Sequence, residues 1–326
     1  MEPNVRMNRH FQKGWNWLTA LYLFLGGLGA GAYIVGAVGS LLGPAYALIT
    51  KWGLIISWPA VGLGSLFLLA HLGTPGRFML AVSNPGTSWI SRGVIFITLY
   101  FIVSIIHFAG YVYPLDFVKN MAMGQQVVLV ILGVFFAIGV SVYTGALLSA
   151  SKGVPFWRSA VLPILFLFSA LVTGLFATLL GVLLFETEAL TLNTQRLIAM
   201  AAAGLVIVEL VVIFFFLHSS YRLPETREPA IRIVREKSFV IGDLILGLIL
   251  PLILMLYVYF GASSVEPGSF KAVAAIAGIL AIIGGLLLRL GILHQGMNTV
   301  LNASGFDFVI EGQNYQKPDI GKLPPM

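Results

Sequence analysis

The feature that most constrains this protein is a series of apolar runs, most of about 20 residues or more, separated by short polar stretches. At a rise of about 1.5 Å per residue, a helix of about 20 residues crosses the hydrocarbon core of a bilayer. With 58% apolar and only 10% charged residues, the sequence would lack the polar surface that a soluble protein needs. Membrane-barrel strands would be about half as long and would alternate in polarity. The sequence therefore predicts an all-α polytopic membrane protein.

The apolar runs predict eight transmembrane helices, an even number that places both termini on the same side of the membrane. Residues 1–298 then form one membrane domain, with partner-facing loops at 71–93 and 218–238, and residues 299–326 form an extended tail. The basic N-terminal segment lacks a short apolar region with a cleavage site, so no removable signal peptide is expected. The expected helices are 15–42, 48–69, 94–112, 125–148, 160–184, 197–217, 239–260 and 272–290.

The basic residues are divided unevenly between the two sets of loops. Fifteen of the 19 Lys and Arg residues fall on the side of the termini and four on the other side. Because cytoplasmic loops carry an excess of Lys and Arg, this bias predicts cytoplasmic termini. A docking surface for an acidic partner on either face would give the same bias. The first set is Arg6, Arg9, Lys13, Arg77, Arg92, Lys152, Arg158, Arg222, Arg227, Arg232, Arg235, Lys237, Arg289, Lys317 and Lys322; the second is Lys51, Lys119, Arg196 and Lys271.

The sequence contains no cysteine, so the protein cannot ligate an iron–sulfur cluster or form a disulfide. Any such cluster would belong to a partner. The sequence also has no P-loop, no dinucleotide fingerprint and no metal-ligand spacing. These observations predict a protein that does no bond-making chemistry alone.

The polar segment from His71 to Gly93, HLGTPGRFMLAVSNPGTSWISRG, interrupts the first half of the sequence. Its prolines and glycines cannot continue a helix, and it carries Arg77 and Arg92. We expect a docking platform and the lip of a pocket. The charged segment 218–238 is expected to be a solvated or partner-facing linker. In the tail, the aromatic residues Phe306, Phe308 and Tyr315 suggest contact with another subunit.

Ionisable residues inside a membrane are costly, so each one marks a candidate functional site. Glu209 has apolar residues on both sides in the sixth helix, and Asp243 and Arg289 lie nearer the termini-side ends of helices seven and eight. These two could pair with Glu209 or with each other, or they could snorkel to the interface. Glu186 and Glu188 lie on the opposite face, where solvent exposure is the simpler interpretation and a proton entrance or exit is the alternative.

Small residues are concentrated in the first helix, in FLGGLGAGAYIVGAVGS. Gly27 and Gly31 lie four residues apart, and such spacings let helices approach closely in lipid. Tight packing is the expected role of most of these glycines. A bare backbone here would also leave room for a flat ring against Tyr22 and Tyr33.

The five histidines are His10, His71, His107, His218 and His294. A two-haem membrane cytochrome needs four histidines stacked in pairs across the bilayer, and only His107 lies near the face opposite the termini. That architecture is disfavoured, whereas one haem between two of His71, His218 and His294, as in a b-type cytochrome anchor, stays open.

A secondary transporter is the other alternative class. It would be expected to show two repeated halves with broken helices at mid-membrane. The isolated prolines Pro59, Pro163 and Pro251 do not occupy corresponding places.

Two segments together resemble one family of membrane subunits. The sequences WNWLTALYLFLGGLGAGAY at 15–33 and HLGTPGRFMLAVSNPGTSWISRG at 71–93 are similar to the NrfD family. This eight-helix family is typified by polysulphide reductase and by the quinol-oxidising arm of formate-dependent nitrite reduction. YTGALLS at 143–149 and the helix count extend the resemblance over most of the sequence.

The resemblance implies a haem-free anchor, without an iron–sulfur cluster of its own, that binds menaquinone or ubiquinone near the termini-side face. It implies a ferredoxin-like iron–sulfur partner, which serves a molybdopterin catalytic subunit or a multihaem cytochrome. Such a complex lies in the inner membrane of a prokaryote. The protein would be its quinone-reactive subunit in anaerobic respiration.

By the same resemblance, the donors to the quinone head group lie early in helix one and late in helix four. These positions correspond to Thr19, Tyr22 and Tyr143. The polysulphide reductase pattern has an asparagine and a histidine at the positions of Thr19 and Tyr22. Either the ligands have shifted here, to Asn16 or His71, or the quinone type differs.

The expected mechanism is that quinol binds between helices one, two and four, beneath the 71–93 segment, and passes two electrons singly to a cluster in the docked partner. Tyr22, His71 and Tyr143 hydrogen-bond the ring. Arg77, also expected among the quinone-binding residues, and Arg92 either stabilise a negatively charged form of the quinone or seat the partner.

Glu209, Asp243 and Arg289 are expected to form a proton path. Structural alternatives stay open for the quinone residues: His71 could cap helix two, Arg77 could bind lipid phosphate, and Tyr143 could simply pack.

Overall fold

The computed structural model describes residues 9–11, 15, 17–71, 85–86, 88–111, 123–151, 153–186, 190–261, 267–303 and 306–309. Eight helices of these ranges are long and apolar enough to cross a membrane, which confirms the predicted all-α multi-pass architecture. A ninth helix is short. In sequence order they are α1 Trp17–Leu42, α2 Ala47–His71, α3 Trp89–Tyr111, α4 Met123–Ser149, α5 Val161–Phe185, α6 Leu192–Arg222, the short α7 Pro224–Ile233, α8 Ser238–Gly261 and α9 Pro267–His294.

Helix α3 begins five residues earlier than the apolar run suggested. The Ser88 hydroxyl accepts a hydrogen bond from the backbone N–H of Ser91, so it caps the first turn. The capped turn carries the polar end of the 71–93 segment, including Arg92, into the helix. Residues 72–84 of that segment lie outside the described residues.

The segment predicted as a loop at 218–238 contains helix α7. Its start has Pro224 in the first turn, and its apolar residues recur at helical spacing on one buried face. The Thr226 hydroxyl donates to the Ser220 carbonyl at 2.6 Å and ties α7 to the end of α6. A search for long apolar runs misses such a helix, because only one of its faces is apolar.

Helix α1 is the most deeply buried of the eight spans, followed by α5. It packs against α2, α4, α5 and α9, and so joins two groups of four helices, α1–α4 and α5, α6, α8 and α9. A Cβ atom at Gly31 would overlap the Ala170 carbonyl, and one at Gly174 would overlap the Ala32 amide. The expected packing role of these small residues follows from this close crossing of α1 and α5.

A small antiparallel sheet lies outside the spans. It contains β1 Arg9–Phe11, β2 Met297–Ala303 and β3 Phe306–Val309, in the order β1-β2-β3. Arg9 pairs with Thr299, so the segment before α1 adjoins the segment after α9. The placement of both termini on one side of the membrane stays a prediction. The tail expected from residue 299 thus begins with strands, and residues 310–326 lie outside the described residues.

Candidate functional site

A small cavity lies inside the first group of helices. Its volume is about 10 Å³, room for about one water molecule. Two of the predicted quinone residues, Tyr22 of α1 and Tyr143 of α4, both line it. The full lining is Tyr22, Gly26, Val61, Gly64, Ser65, Leu68, Ile97, Val140, Tyr143 and Thr144.

The Tyr143 hydroxyl is the hydrogen-bonding group of this cavity that is best placed to receive a ligand. The side chain is buried, and its hydroxyl has no hydrogen-bond partner among the described residues. A buried polar group without a partner costs about 1–3 kcal/mol, so a ligand that accepts this hydrogen bond is favoured. The ring packs on Gly93 of α3, where any Cβ would overlap it. Gly93 therefore sets the position of the hydroxyl.

The cavity lining includes two further polar side chains, which the sequence interpretation missed. Ser65 donates to the Val61 carbonyl at 2.8 Å, and Thr144 donates to the Ser141 carbonyl at 2.6 Å. Bonds of this kind within one helix are common and give no sequence signal. Each hydroxyl oxygen retains lone pairs that can accept a hydrogen bond from a ligand.

Each of the other predicted quinone residues is either absent from the cavity wall or outside the described residues. Thr19 is fully buried one turn before Tyr22 but does not line the cavity. Tyr33 lies about 16 Å farther along α1 than Tyr22, so the two tyrosines do not flank one ring. Asn16, Arg77 and the side chain of His71 lie outside the described residues.

Arg92 stabilises a turn at the start of α3. Its guanidinium donates to the Pro85 carbonyl at 2.8 Å and to the Gly86 carbonyl at 2.7 Å. It also stacks over the Trp89 ring at 4.6 Å. These contacts hold the turn at 85–86 against the helix and give Arg92 a structural role in addition to the predicted docking role.

A second polar group lies in the other half of the protein, where Glu209 of α6, Asp243 of α8 and Arg289 of α9 are all buried. Each lies close enough to the others to interact electrostatically. The snorkelling alternative for Asp243 and Arg289 is wrong, since both side chains have no exposed surface. Two carboxylates and one guanidinium thus share an interior site.

Arg289 is held by α5 as well as by its own helix. Nη1 donates to the Ser169 hydroxyl at 2.6 Å and to the Gly285 carbonyl at 2.8 Å. The guanidinium also lies 5.2 Å from the Phe166 ring centroid and 5.7 Å from that of Phe24. The sequence interpretation missed Ser169, because a serine in an apolar run has no distinctive neighbours.

The carboxylates keep hydrogen-bonding capacity. The four carboxylate oxygens of Glu209 and Asp243 have no hydrogen-bond partner among the described residues. Nε and Nη2 of Arg289 also have no hydrogen-bond partner among the described residues. Buried charges of this kind are stable only when solvated or protonated, so the cluster is suited to holding water or a proton.

Asp243 lies in an irregular part of its helix. Residues Ser238–Ile249 of α8 form a π-helix, which continues as an α-helix over Leu250–Gly261. π-Helical segments occur often at functional sites. Here the segment packs closely on α9, where a Cβ at Gly247 would lie 2.6 Å from the Cα of Gly284.

Glu186, expected to be solvated, is instead hydrogen-bonded at the opposite face. It accepts from Lys51 at 2.6 Å and from the Trp52 indole at 2.8 Å. These two hydrogen bonds hold the pKa of Glu186 below its ordinary value, and the bond from Lys51 has the larger effect. The pair fastens the start of α2 to the end of α5. Glu188 lies outside the described residues.

Two of the histidines considered as haem ligands have described side chains. His218 stacks on Phe214, with ring centroids 5.6 Å apart. His294 is exposed and lies 3.7 Å from Glu236. In the described ranges, no group of three or more His, Cys, Asp or Glu side chains is placed to hold a metal ion.

Comparison with known proteins extends the similarity beyond these residues. The model of the family described as polysulphide reductase, NrfD, matches residues 6–301. The polysulfide reductase C subunit of Wolinella succinogenes is 30% identical over 308 residues, which covers 88% of this protein and 95% of the relative.

Two further relatives are NrfD proteins. Protein NrfD of Escherichia coli is 32% identical over 187 residues, covering 51% of this protein and 58% of the relative. The NrfD homolog of Haemophilus influenzae is 25% identical over 310 residues, covering 88% of this protein and 95% of the relative.

Proposed function

The protein belongs to the polysulphide reductase NrfD family, and from this premise we propose that it is the quinone-reactive membrane anchor of a respiratory oxidoreductase complex. It exchanges electrons between the membrane quinone pool and an iron–sulfur subunit docked on the side of the termini. Beyond that subunit lies a molybdopterin catalytic subunit or a multihaem cytochrome. The complex resides in a prokaryotic inner membrane with its termini in the cytoplasm, as the charge bias favours.

The observation that carries this proposal is the cavity between α1, α2, α3 and α4, with the unpartnered hydroxyl of Tyr143 in its wall. A quinone site needs an apolar slot and hydrogen-bonding groups at the carbonyl oxygens. Tyr143 supplies a donor on α4, and Tyr22 supplies a second hydroxyl on α1. The other lining residues are mainly aliphatic or glycine and provide the slot.

A quinone or quinol ring is larger than the cavity, which has a volume of about 10 Å³. Binding therefore requires the aliphatic lining side chains Val61, Ile97 and Val140 to move. The backbone contacts that hold Tyr143 on Gly93 need not change. In this proposal the hydroxyls are pre-positioned and the apolar wall adapts to the ring.

Proton transfer accompanies quinone chemistry, and the buried cluster in the other half provides groups for it. We assign Glu209 and Asp243 as proton-holding stations and Arg289 as the cation that stabilises their charged forms. Ser169 positions the guanidinium through its 2.6 Å hydrogen bond. Such a cluster is costly in a membrane, and a proton path accounts for that cost.

The test is quinol-driven reduction of the iron–sulfur clusters in membranes that contain the native complex, with duroquinol as the donor. Tyr143→Phe keeps the ring on Gly93 but removes the hydroxyl. We expect its rate to fall roughly 2-fold to 13-fold, the equivalent of one hydrogen bond of about 0.5–1.5 kcal/mol.

Tyr257→Phe is the matched control, because Tyr257 is an exposed tyrosine of α8, remote from the cavity. Its rate should equal that of the unmodified protein. Unchanged rates in both Tyr143→Phe and Tyr22→Phe would disprove the assignment of the site.

A further inference from the structure

A second set of polar residues crosses the first group of helices on the side of the cavity away from the termini. The Tyr33 hydroxyl of α1 lies 3.1 Å from Nδ1 of His107 in α3, a hydrogen bond inside the bundle. Tyr33 has no exposed surface and His107 is 4% exposed. The proposed quinone chemistry uses neither residue.

The pair continues toward the cavity through Tyr100. The Tyr33 and Tyr100 rings meet edge to face, with centroids 5.3 Å apart. The Tyr100 hydroxyl lies near the side chains of Ser57 in α2 and Ser104 in α3, but it makes no hydrogen bond among the described residues. All three side chains are fully buried. We call Ser57, Tyr100, Ser104, Tyr33 and His107 the polar column.

The polar column begins where the cavity ends. Ser57 is one helical turn from Val61, and Tyr100 is one turn from Ile97. Both Val61 and Ile97 line the cavity. The direction of α3 places Tyr100 beyond Ile97, away from the termini. The cavity and the column thus follow one another along the bundle.

The other end of the polar column lies near the opposite membrane face. His107 is four residues before the end of α3, which is about 6 Å along the helix axis. The column packs among apolar and aromatic side chains such as Leu54, Phe101 and Val130. Packing alone would favour apolar groups here, because polar side chains in a membrane interior are costly.

The position of the Tyr33 hydroxyl is set by a glycine. A Cβ atom at Gly133 of α4 would overlap the hydroxyl and the ring carbon that carries it. The fold thus leaves room for the hydroxyl at the place where it contacts His107. A phenylalanine at position 33 would keep every ring contact and lose only this polar contact.

We propose that the polar column is a proton route between the quinone cavity and the membrane face opposite the termini, with His107 as its outermost proton-exchanging group. The inference rests on the proposed function of the cavity. Oxidation of one quinol releases two electrons and two protons. The electrons leave to the iron–sulfur partner on the side of the termini, and the column passes protons to the opposite face.

Within the column, the hydroxyl of Tyr33 and the imidazole of His107 are suited to relay a proton. Each donates one proton and accepts another, so the relay leaves both groups unchanged after a transfer. Water entering from the cavity connects its hydroxyls with Ser57 and Tyr100. The route therefore requires hydroxyl groups but no permanent charge.

The experiment uses the complex purified with its native partner subunits and reconstituted in liposomes that contain the pH dye pyranine. Complexes are oriented with the termini outward; duroquinol and ferricyanide are added outside. Ferricyanide bleaching counts electrons, and pyranine counts protons that reach the lumen. Tyr33→Phe and His107→Gln are compared with Tyr257→Phe, the exposed tyrosine of α8.

We expect Tyr33→Phe and His107→Gln to lower the number of lumenal protons per electron roughly tenfold or more, since a positioned proton-transfer group contributes about 10²–10⁴-fold. Tyr257→Phe should keep the original ratio. The same ratio in all four proteins would overturn the proton route and leave the proposed quinone function standing.

A second measurement separates the two proposals. The same liposomes are given an imposed potential with potassium and valinomycin, without quinol, and pyranine reports passive proton entry. If the unmodified complex does not oxidise duroquinol, the quinone function is disproved. Passive proton entry into the liposomes then still shows whether the polar column conducts protons. Slower entry in Tyr33→Phe and His107→Gln than in Tyr257→Phe supports the route, and equal entry overturns it.

Discussion

Nη1 of Arg289 donates a 2.6 Å hydrogen bond to the hydroxyl of Ser169 across the interface of α9 and α5. The same guanidinium faces two buried carboxylates, those of Glu209 and Asp243. One cation thus serves a helix contact and a charge cluster at once. Its removal affects both.

Arg289→Met should therefore be strongly destabilising. Removal of one member of a buried charge cluster leaves the others without compensation and costs about 3–5 kcal/mol. Arg232→Met is the control, because Arg232 is half-exposed and pairs with Glu228 on the surface of α7, where such a pair contributes about 0–1 kcal/mol. Thermal unfolding of the purified protein measures both. Equal stability of the two variants would contradict the structure of the cluster.

Addition of Asp243→Asn to Arg289→Met tests the electrostatic cause. With one carboxylate neutralised, less negative charge is left uncompensated, so the double variant should be more stable than Arg289→Met alone. If it is less stable, the loss in the single variant comes from packing and from the Ser169 hydrogen bond.

Gly93→Ala should act on the cavity through Tyr143. The added methyl overlaps the Tyr143 ring and displaces its hydroxyl. Quinol oxidation should slow by a factor similar to that of Tyr143→Phe. The double variant, Gly93→Ala with Tyr143→Phe, should be no slower than either single variant, because each of the three proteins loses the same hydroxyl contact. Gly62→Ala in α2 is the control, since a Cβ there meets no atom within 4 Å. Fully additive losses would refute a shared cause.

Gly174→Ala should disrupt the crossing of α1 and α5. Its Cβ would overlap the backbone amide of Ala32, which cannot rotate away as a side chain can. Overpacking of this kind costs about 1–3 kcal/mol or more. At Gly204 of α6 a Cβ meets nothing within 4 Å, so Gly204→Ala should be neutral or stabilising by up to about 1 kcal/mol. Melting temperatures of the two variants provide the comparison, and the reverse order would show that the helices do not cross here.

The Lys51–Glu186 pair should make stability depend on acid. Its hydrogen bonds lower the pKa of Glu186 in the folded protein below the ordinary 4.5. A lowered pKa contributes stability that is fully present above the ordinary value and is lost as the pH falls through the folded value. The melting temperature of the unmodified protein should exceed that of Glu186→Gln at neutral pH. The difference should disappear at a pH well below 4.5.

Glu228→Gln is the control for the pH series, because Glu228 is half-exposed on the surface of α7. Its melting temperature should stay close to that of the unmodified protein throughout. A difference between Glu186→Gln and the unmodified protein that is constant down to low pH would mean that ionisation of Glu186 does not stabilise the fold.

The membrane spans were predictable from the sequence because their signal is local. The transfer free energy of a run of side chains depends on the residues of that run, and each run is long enough to cross a bilayer. For the same reason Glu209 was recognisable as a candidate, since its neighbours in the sequence are apolar. The 71–93 segment was recognisable through its prolines and glycines, and with the first helix it indicated the family.

Helix α7 and the strand pairing at the termini were not predictable in this way. The apolar face of α7 is too narrow for a search based on long apolar runs. The pairing of Arg9 with Thr299 joins residues from opposite ends of the sequence. Neither feature has a local signal of sufficient strength.

The sequence by itself determined the membrane class, the eight spans, the family and the presence of ionisable groups within apolar helices. Only the tertiary structure decided which of these groups meet. It placed Arg289 beside Ser169 rather than at the interface, Tyr22 and Tyr143 on one cavity, and Tyr33 against His107. The physical reason is that hydropathy is a sum over neighbours in the sequence. Contacts between helices depend instead on helix rotation and on close approach at glycines such as Gly31, Gly93 and Gly133.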